Sequence, residues 1–130
     1  MTNVTLCIYR DDLDPTQISA RLGLKPTDSF RRGEAIVTKR RRYSDHPTGG
    51  WLLSSRDRVP SEELEVHLAW LLRQIEPAAE VIRALQLEGN DVALICVVSG
   101  SPTGGGPTIG ATTLERIANL KVPVDFDIYS

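Results

Sequence analysis

Apolar positions recur with helical spacing over residues 61–88, and the rest of the chain is organised around this stretch. The apolar members are Leu64, Leu68, Leu71, Leu72, Ile75, Ala78, Ala79, Ile82 and Leu85. Intervals of three and four residues predict an amphipathic helix with one face on a core. Ser61 is the predicted N-cap and Gly89-Asn90 the predicted end.

Pro77 lies inside this pattern, where proline lacks a backbone N–H and its ring clashes with a preceding carbonyl. A straight helix over the stretch would measure about 42 Å. A compact domain of this length is roughly 36 Å across. We therefore predict a kink or break near residues 73–77 that bends the helix over a sheet.

The N-terminal third predicts a strand and a short helix. Residues 4–9 alternate, which is the pattern of a strand with one buried face. Asp14 and Pro15 are typical of a helix start and Gly23 of a helix end, so a helix is predicted over residues 15–22.

The middle of the chain predicts a hairpin. Strand character occurs around Phe30 and over residues 35–38, a turn over 45–50, and a returning strand over 51–55. The tip of this hairpin carries the basic run Lys39, Arg40, Arg41 and Arg42.

The last third predicts a strand, a loop, a helix and a strand. Residues 91–99 are nearly all apolar, as in an interior strand. A Gly- and Pro-rich loop (99–110), a helix (111–120) and an alternating strand (122–129) follow. In that strand the predicted inward residues are Val122, Val124, Phe126 and Ile128, and the predicted outward residues are Asp125 and Asp127.

The inferred element order is β-α-β-β-α-β-α-β in a single α+β domain spanning residues 1–130. The first six elements match a ferredoxin-like βαββαβ core, extended by a further α-β unit. Helices are expected on one face of a mixed sheet, with the strands at 4–9 and 91–99 in its middle.

Charge is unevenly distributed although the net charge is only −2. Residues 25–58 hold nine Lys/Arg and four acids, whereas the rest of the chain holds six Lys/Arg and thirteen acids. The candidate partner-binding residues are Arg31, Arg32, Lys39, Arg40, Arg41, Arg42 and Trp51. An acidic protein or a nucleic acid would suit this basic segment; alternatively its charges protect an edge strand and pair with acids elsewhere.

The loop at 99–110 is the candidate ligand site, because backbone N–H groups between a strand and a helix can cradle an anion. Its candidate residues are Ser99, Ser101, Thr103, Gly104, Gly105 and Gly106. No Lys-Ser/Thr follows the glycines, so it is not a P-loop. The alternative is a connection that needs glycine for space.

Other candidate chemistry is sparse. His67 is predicted on the polar side of the long helix, and no His/Cys spacing indicates a metal site. The acids Asp11, Asp12 and Asp14 could form a cation site, but helix capping explains Asp14 without a metal. Cys7 and Cys96 lie in apolar runs and predict buried thiols in a reducing cytoplasm. We expect no cofactor, no signal peptide and no membrane span, since no apolar run approaches ~20 residues.

An ordered set of motifs runs along the chain: YRDD at 9–12, DP at 14–15, LGL at 22–24, FRRGE at 30–34, GW at 50–51, LAWLL at 68–72 and VDFDIY at 124–129. This set resembles the bacterial proteins grouped as domain of unknown function 4279. The resemblance implies a small bacterial cytoplasmic domain and transfers no catalytic residue. The uneven charge and the lack of a catalytic constellation favour a non-enzymatic protein-binding module, for example of the immunity type. The alternatives are a nucleic-acid binder through the same hairpin and an anionic-ligand sensor or enzyme that uses the loop at 99–110.

Overall fold

A computed structural model describes residues 1–37, 42–100 and 102–129. The strands are β1 (Asn3–Arg10), β2 (Asp28–Phe30), β3 (Ala35–Val37), β4 (Arg42–Asp45), β5 (Gly49–Ser54), β6 (Asp91–Ser99) and β7 (Val124–Tyr129). The helices are α1 (Pro15–Leu22), α2 (Leu64–Ile75), α3 (Ala79–Leu87) and α4 (Ala111–Leu120), with a 3-10 turn (Glu76–Ala78) between α2 and α3.

Five strands form one mixed sheet in the order β2-β5-β1-β6-β7. The pairs β2–β5, β5–β1 and β1–β6 are antiparallel, and β6–β7 is parallel. The expectation that the first strand and the apolar strand lie inside the sheet is confirmed. The predicted α+β class with a mixed sheet is confirmed as well.

One continuous core lies between the helices and one face of the sheet. Alternate residues of β1, namely Val4, Leu6 and Ile8, are fully buried there, as the period-2 pattern requires. The facing stripe of α2 is also fully buried, at Leu68, Leu71, Leu72 and Ile75. This burial of apolar area is the main stabilising contribution to the fold.

The predicted break in the long helix is confirmed at the proline. α2 ends at Ile75, residues 76–78 form the 3-10 turn, and α3 starts at Ala79. The missing N–H of Pro77 interrupts the helical hydrogen bonds. Ile75 before the turn and Ile82 after it are both fully buried, so the bend keeps both halves on the sheet.

The start of α2 was predicted incorrectly. Ser61 is not the N-cap, because the helix begins at Leu64 with Glu63 at the cap position. Ser61 instead accepts from the backbone N–H of Glu63 (3.0 Å), and its carbonyl accepts from Nε2 of His67 (2.7 Å). These bonds hold residues 61–63 in a turn outside the helix.

The two other predicted helices are found with their predicted bounds. Asp14 caps α1 by accepting from the N–H of Thr16 (3.1 Å), and Gly23 ends it in the left-handed region (φ 69°). Both positions are local signals, so the sequence was sufficient to place them. α4 likewise spans the predicted residues 111–120.

The predicted partner strand of the basic hairpin was wrong. β3 pairs with β4, placing Ala35 opposite Asp45, and the two form a separate sheet. β5 pairs instead with β2 and β1. The reason is that β5 supplies Trp51 and Leu53 to the core, which requires a place in the main sheet. Val37 and Arg42 therefore flank the run at 38–41, which lies outside the described residues.

The residues predicted to face inward at the end of β7 are not buried. Val122 is buried and Val124 is partly buried, but Phe126 is 49 % and Ile128 66 % exposed. Alternation establishes that these side chains share one face of the strand. The core covers only the start of that face.

Candidate binding surfaces

The predicted basic surface divides into two parts in the structure. Lys39, Arg40 and Arg41 lie outside the described residues, and Arg42 is the first residue of β4. Arg31 and Arg32 lie in the turn between β2 and β3, at the base of the hairpin. The structure therefore separates the cations at the base from the run between the hairpin strands.

Both arginines at the base face carboxylates. Arg31 donates to Oδ1 of Asp14 at 2.8 Å, and Arg32 lies 3.6 Å from Oδ2 of Asp11. Arg10 similarly contacts Asp12 at 2.7 Å. The three acids considered as a cation site thus each face an arginine. The Arg31–Asp14 pair also links the hairpin base to the cap of α1.

Aromatic rings cover the junction between the hairpin and the sheet. The rings of Phe30 and His46 stack at a centroid distance of 3.6 Å and an interplanar angle of 7°. Tyr9 lies 6.4 Å from Phe30. Gly50 lies under Phe30, and a Cβ at position 50 would come within 2.4 Å of the Phe30 ring. The close approach of the ring to β5 therefore requires glycine at this position.

The hairpin ladder continues into this junction through the backbone. Gly33 donates to the carbonyl of His46 (2.9 Å), and His46 donates to the carbonyl of Glu34 (2.8 Å). The backbone of His46 thus extends the hairpin ladder, while its ring packs the base of the hairpin against Phe30 of β2.

Trp51 is not part of any binding surface, which corrects its assignment as a partner-binding residue. Its side chain is fully buried in the core, and Nε1 donates to Oγ of Ser19 at 2.9 Å. Indole N–H groups inside proteins need such a partner. The ring joins β5 to α1.

The Gly-rich loop borders a cleft of about 540 Å³. The lining includes Gly104, Gly105 and Gly106 from the loop and Glu62, Glu63 and Glu65 from the start of α2. Gly104 (φ 88°) and Gly105 (φ 86°) adopt the left-handed region that favours glycine. Ser99 also lines the cleft, Thr103 is exposed nearby, and Ser101 lies outside the described residues.

Glu65 connects this loop to the helix that follows it. One carboxylate oxygen accepts from the backbone N–H of Gly110, and the other accepts from Oγ1 of Thr113 at 2.7 Å. The first turn of α4, which would attract an anion, therefore holds a carboxylate of the chain itself. The predicted anion site remains a prediction, and the three carboxylates around the cleft oppose it electrostatically.

A buried hydrogen-bond chain joins β5, α2 and β1. Oγ of Ser55 lies 2.6 Å from Nδ1 of His67 and accepts from the N–H of Val4 at 2.9 Å. Nε2 of His67 donates to the carbonyl of Ser61, because a carbonyl oxygen can only accept. The placement of His67 on the polar face was wrong, since its side chain is 1 % exposed.

This chain of bonds was not found from the sequence, because twelve residues separate Ser55 from His67 and no motif joins them. The available signal was a serine at the end of the strand predicted over 51–55 and a histidine within the helical pattern at 61–88. Ser55 is fully buried, so its hydroxyl has no access to a substrate. The arrangement stabilises the fold rather than activating a nucleophile.

Both cysteines are buried and free, as predicted. Burial raises the pKa of Cys7 to about 11 and that of Cys96 to about 11. Only the thiolate is an effective nucleophile, so neither thiol is activated near neutral pH.

Within residues 1–37, 42–100 and 102–129, no three His, Cys, Asp or Glu side chains lie together as metal ligands. None of the helices in those ranges is both long and apolar enough to cross a bilayer.

Comparison with known proteins gives a family. No curated protein and no solved structure matches the chain. A family model described as a domain of unknown function, DUF4279, matches residues 1–130, and the chain therefore belongs to this family.

Proposed function

We propose that this chain is a non-enzymatic binding domain that recognises an acidic protein through the β3–β4 hairpin. The observation that carries the proposal is the separation of this hairpin from the main sheet, with a basic run between its two strands. An immunity-type protein that neutralises an acidic toxin is one example of this class.

The distribution of charge supports the hairpin as the contact. Arg31 and Arg32 at the base are each paired with a carboxylate. The sequence between β3 and β4 contains Lys39, Arg40 and Arg41 with no acid among them. Clustered like charge raises the local potential and accelerates encounter with an acidic surface.

The state of the reactive side chains supports a binding role over an enzymatic one. Ser55, Cys7 and Cys96 are each at most 3 % exposed. A nucleophile or general base has to reach its substrate. The cleft beside the Gly-rich loop carries three glutamates, which is a poor setting for the anionic ligand first considered.

The finer architecture and the compartment belong to the same proposal. We assign β1, β2, β5 and β6, with α1 and α2–α3, to a ferredoxin-like unit that α4 and β7 extend. Support comes from the order β6-β1-β5-β2 with all three pairs antiparallel. Buried, unpaired thiols fit a reducing bacterial cytoplasm.

Nucleic acid is the alternative ligand of the hairpin. Rings of Phe30 and His46 beside a basic strand pair resemble a stacking platform for bases. The two rings already stack on each other, however, so one face of each is occupied. We therefore favour a protein partner and treat nucleic acid as an outcome of the test.

The test compares two charge-reversed triple variants of the full chain in pull-downs from bacterial lysate. R40E/R41E/R42E changes the hairpin, and R56E/R58E/R83E makes the same charge change at three exposed arginines elsewhere. We expect at least a tenfold loss of the captured protein for the hairpin variant and little loss for the control.

Equal capture by the hairpin variant and the wild type would refute the proposal. Capture that disappears after nuclease treatment, with log affinity falling linearly in log salt, would assign the hairpin to nucleic acid instead.

A further inference from the structure

The edge strand β7 exposes an apolar face that the core does not cover. Phe126 (49 % exposed) and Ile128 (66 %) lie on this face, whereas Tyr129 (52 %) lies on the other face and donates to Asp127. These are three of the seven large apolar side chains that the described residues expose, and they lie in one six-residue strand. Concentration of exposed apolar area in one element is typical of an interaction site.

The backbone of β7 also has its pairing groups available. Leu94 donates to the carbonyl of Pro123 (2.9 Å), and Gly100 donates to the carbonyl of Tyr129 (2.5 Å). Because bonding direction alternates along a parallel strand, odd-numbered residues of β7 bond to β6. Phe126 and Ile128 therefore direct N–H and C=O away from the sheet, where no described strand pairs with them.

The charges on the other face of β7 determine what can pair with it. Asp125 and Asp127 are exposed and lie beside Ile95 and Val97 of β6. In antiparallel self-pairing, opposite residues share a face. In the registers that pair Phe126 with itself or with Ile128, Asp125 would face Asp127 of a second copy or Asp127 would face itself. Like charges directly opposite each other are destabilising, so the strand disfavours its own copy.

We propose that the free edge of β7 binds an extended segment of another protein by strand addition. The segment alternates Lys or Arg, opposite Asp125 and Asp127, with apolar side chains opposite Phe126 and Ile128. Main-chain hydrogen bonds provide affinity and the alternating side chains provide specificity. This surface is separate from the β3–β4 hairpin and does not depend on the function proposed for it.

The first test uses synthetic probes and the full chain. Fluorescein-labelled octapeptides of alternating Lys and Val, or alternating Glu and Val, are titrated with the protein in fluorescence anisotropy at physiological salt. We expect the Lys-Val peptide to bind at least tenfold more tightly than the Glu-Val peptide. Equal affinities would overturn the proposal.

The second test removes pairing groups from the probe. Two further Lys-Val peptides carry N-methyl groups, one on every Lys and the other on every Val. Only one of these sets of N–H groups faces the edge in an added strand. We therefore expect one methylated peptide to lose at least tenfold in affinity and the other to retain binding. Similar affinity for both would exclude strand addition.

The third test uses protein variants. Ile128→Pro removes an outward N–H, whereas Ile128→Ala truncates the same side chain and keeps that N–H. The Ile128→Pro variant should bind the Lys-Val peptide at least tenfold more weakly than the Ile128→Ala variant does. The two variants should have the same melting temperature. If the wild type sediments as a dimer and Ile128→Pro as a monomer, the edge belongs to a second copy and the proposal fails.

Discussion

Single residues matter most in this fold where a polar atom lies inside the core. Ser55 accepts from the backbone of Val4 and bonds to Nδ1 of His67, while fully buried. Among the described residues no buried side-chain nitrogen or oxygen lacks a partner. Removing one member of such a chain leaves the others unsatisfied in a low-dielectric setting, which costs more than the bond itself contributes.

Ser55→Ala should therefore lower the free energy of unfolding by about 1–3 kcal/mol, since it leaves the N–H of Val4 and a ring nitrogen unpaired. Urea denaturation followed by tryptophan fluorescence measures this change. Ser29→Ala, at an exposed position of β2, is the matched control and should change stability by less than about 0.5 kcal/mol. Equal losses in the two variants would contradict a structural role for Ser55.

The two buried thiols predict that the free energy of unfolding falls at alkaline pH. Burial raises the pKa of Cys7 and Cys96 from 9.0 to about 11, so the folded state holds these protons more tightly than the unfolded state. Their contribution to stability is complete below pH 9 and is lost as pH rises to about 11. A series of urea titrations over this range should show stability falling.

The double variant Cys7→Ala/Cys96→Ala supplies the control for that prediction. It should be less stable at neutral pH, because it removes buried volume, but its stability should fall less steeply above pH 9. An unchanged slope would mean that other groups carry the pH dependence. Tyr9 is one such group, since burial raises its pKa to about 12.

At the scale of elements, local signals and tertiary contacts decide different boundaries. Asp14 and Gly23 fix both ends of α1 through bonds within a few residues, so the sequence predicted that helix accurately. The start of α2 is set instead by the bond from His67 to the carbonyl of Ser61. The sequence around Ser61 does not show that its backbone carbonyl already accepts a hydrogen bond from a side chain.

A second limit of prediction from sequence concerns how much of a strand's face is buried. Alternation correctly grouped Phe126 with Ile128 and Asp125 with Asp127. It could not show how far the core extends along β7, because the length of helix above a strand depends on three-dimensional packing. The acidic surroundings of the Gly-rich loop were missed for a similar reason. Glu65 reaches it across 45 residues of sequence.

Glu65 gives an element-scale prediction. Glu65→Ala removes the carboxylate that accepts from Gly110 and Thr113, so the first turn of α4 should fray. A loss of about 0.5–2 kcal/mol is expected by analogy with helix caps. Urea denaturation measures it, and faster hydrogen exchange at the N–H of Gly110 locates it.

Glu63→Ala is the matched control for that measurement. Glu63 is exposed, occupies the cap position of α2 and makes no side-chain capping bond. Its replacement should leave exchange in α4 unchanged. Similar exchange rates in the two variants would show that Glu65 does not hold α4.

At the scale of the whole molecule, a core-bearing sheet and a separate hairpin are combined in one chain. The α+β class, the mixed sheet and the interior position of β1 and β6 followed from hydrophobic patterning. The pairing of β3 with β4 did not follow from that patterning, because β4 is short and polar. Its last residue, Asp45, falls in the turn predicted over 45–50, and the predicted returning strand belongs to the main sheet because Trp51 and Leu53 occupy the core.

Removal of the hairpin tests this division. Ala35 and Asp45 are opposite each other in the β3–β4 pair, so an Asn-Gly turn can join them directly. The shortened protein should keep a single cooperative unfolding transition, with a free energy of unfolding within about 1 kcal/mol of the wild type. A loss of several kcal/mol would show that the hairpin belongs to the core.

Gly50 links the sheet to the orientation of that hairpin. A methyl group at position 50 would displace the ring of Phe30, which is stacked on His46 at the root of β3 and β4. Such a displacement would rotate β3 and β4 relative to the main sheet, because both strands start from this stacked pair. The orientation of the two hairpin strands is thus governed by a position that bears no charge.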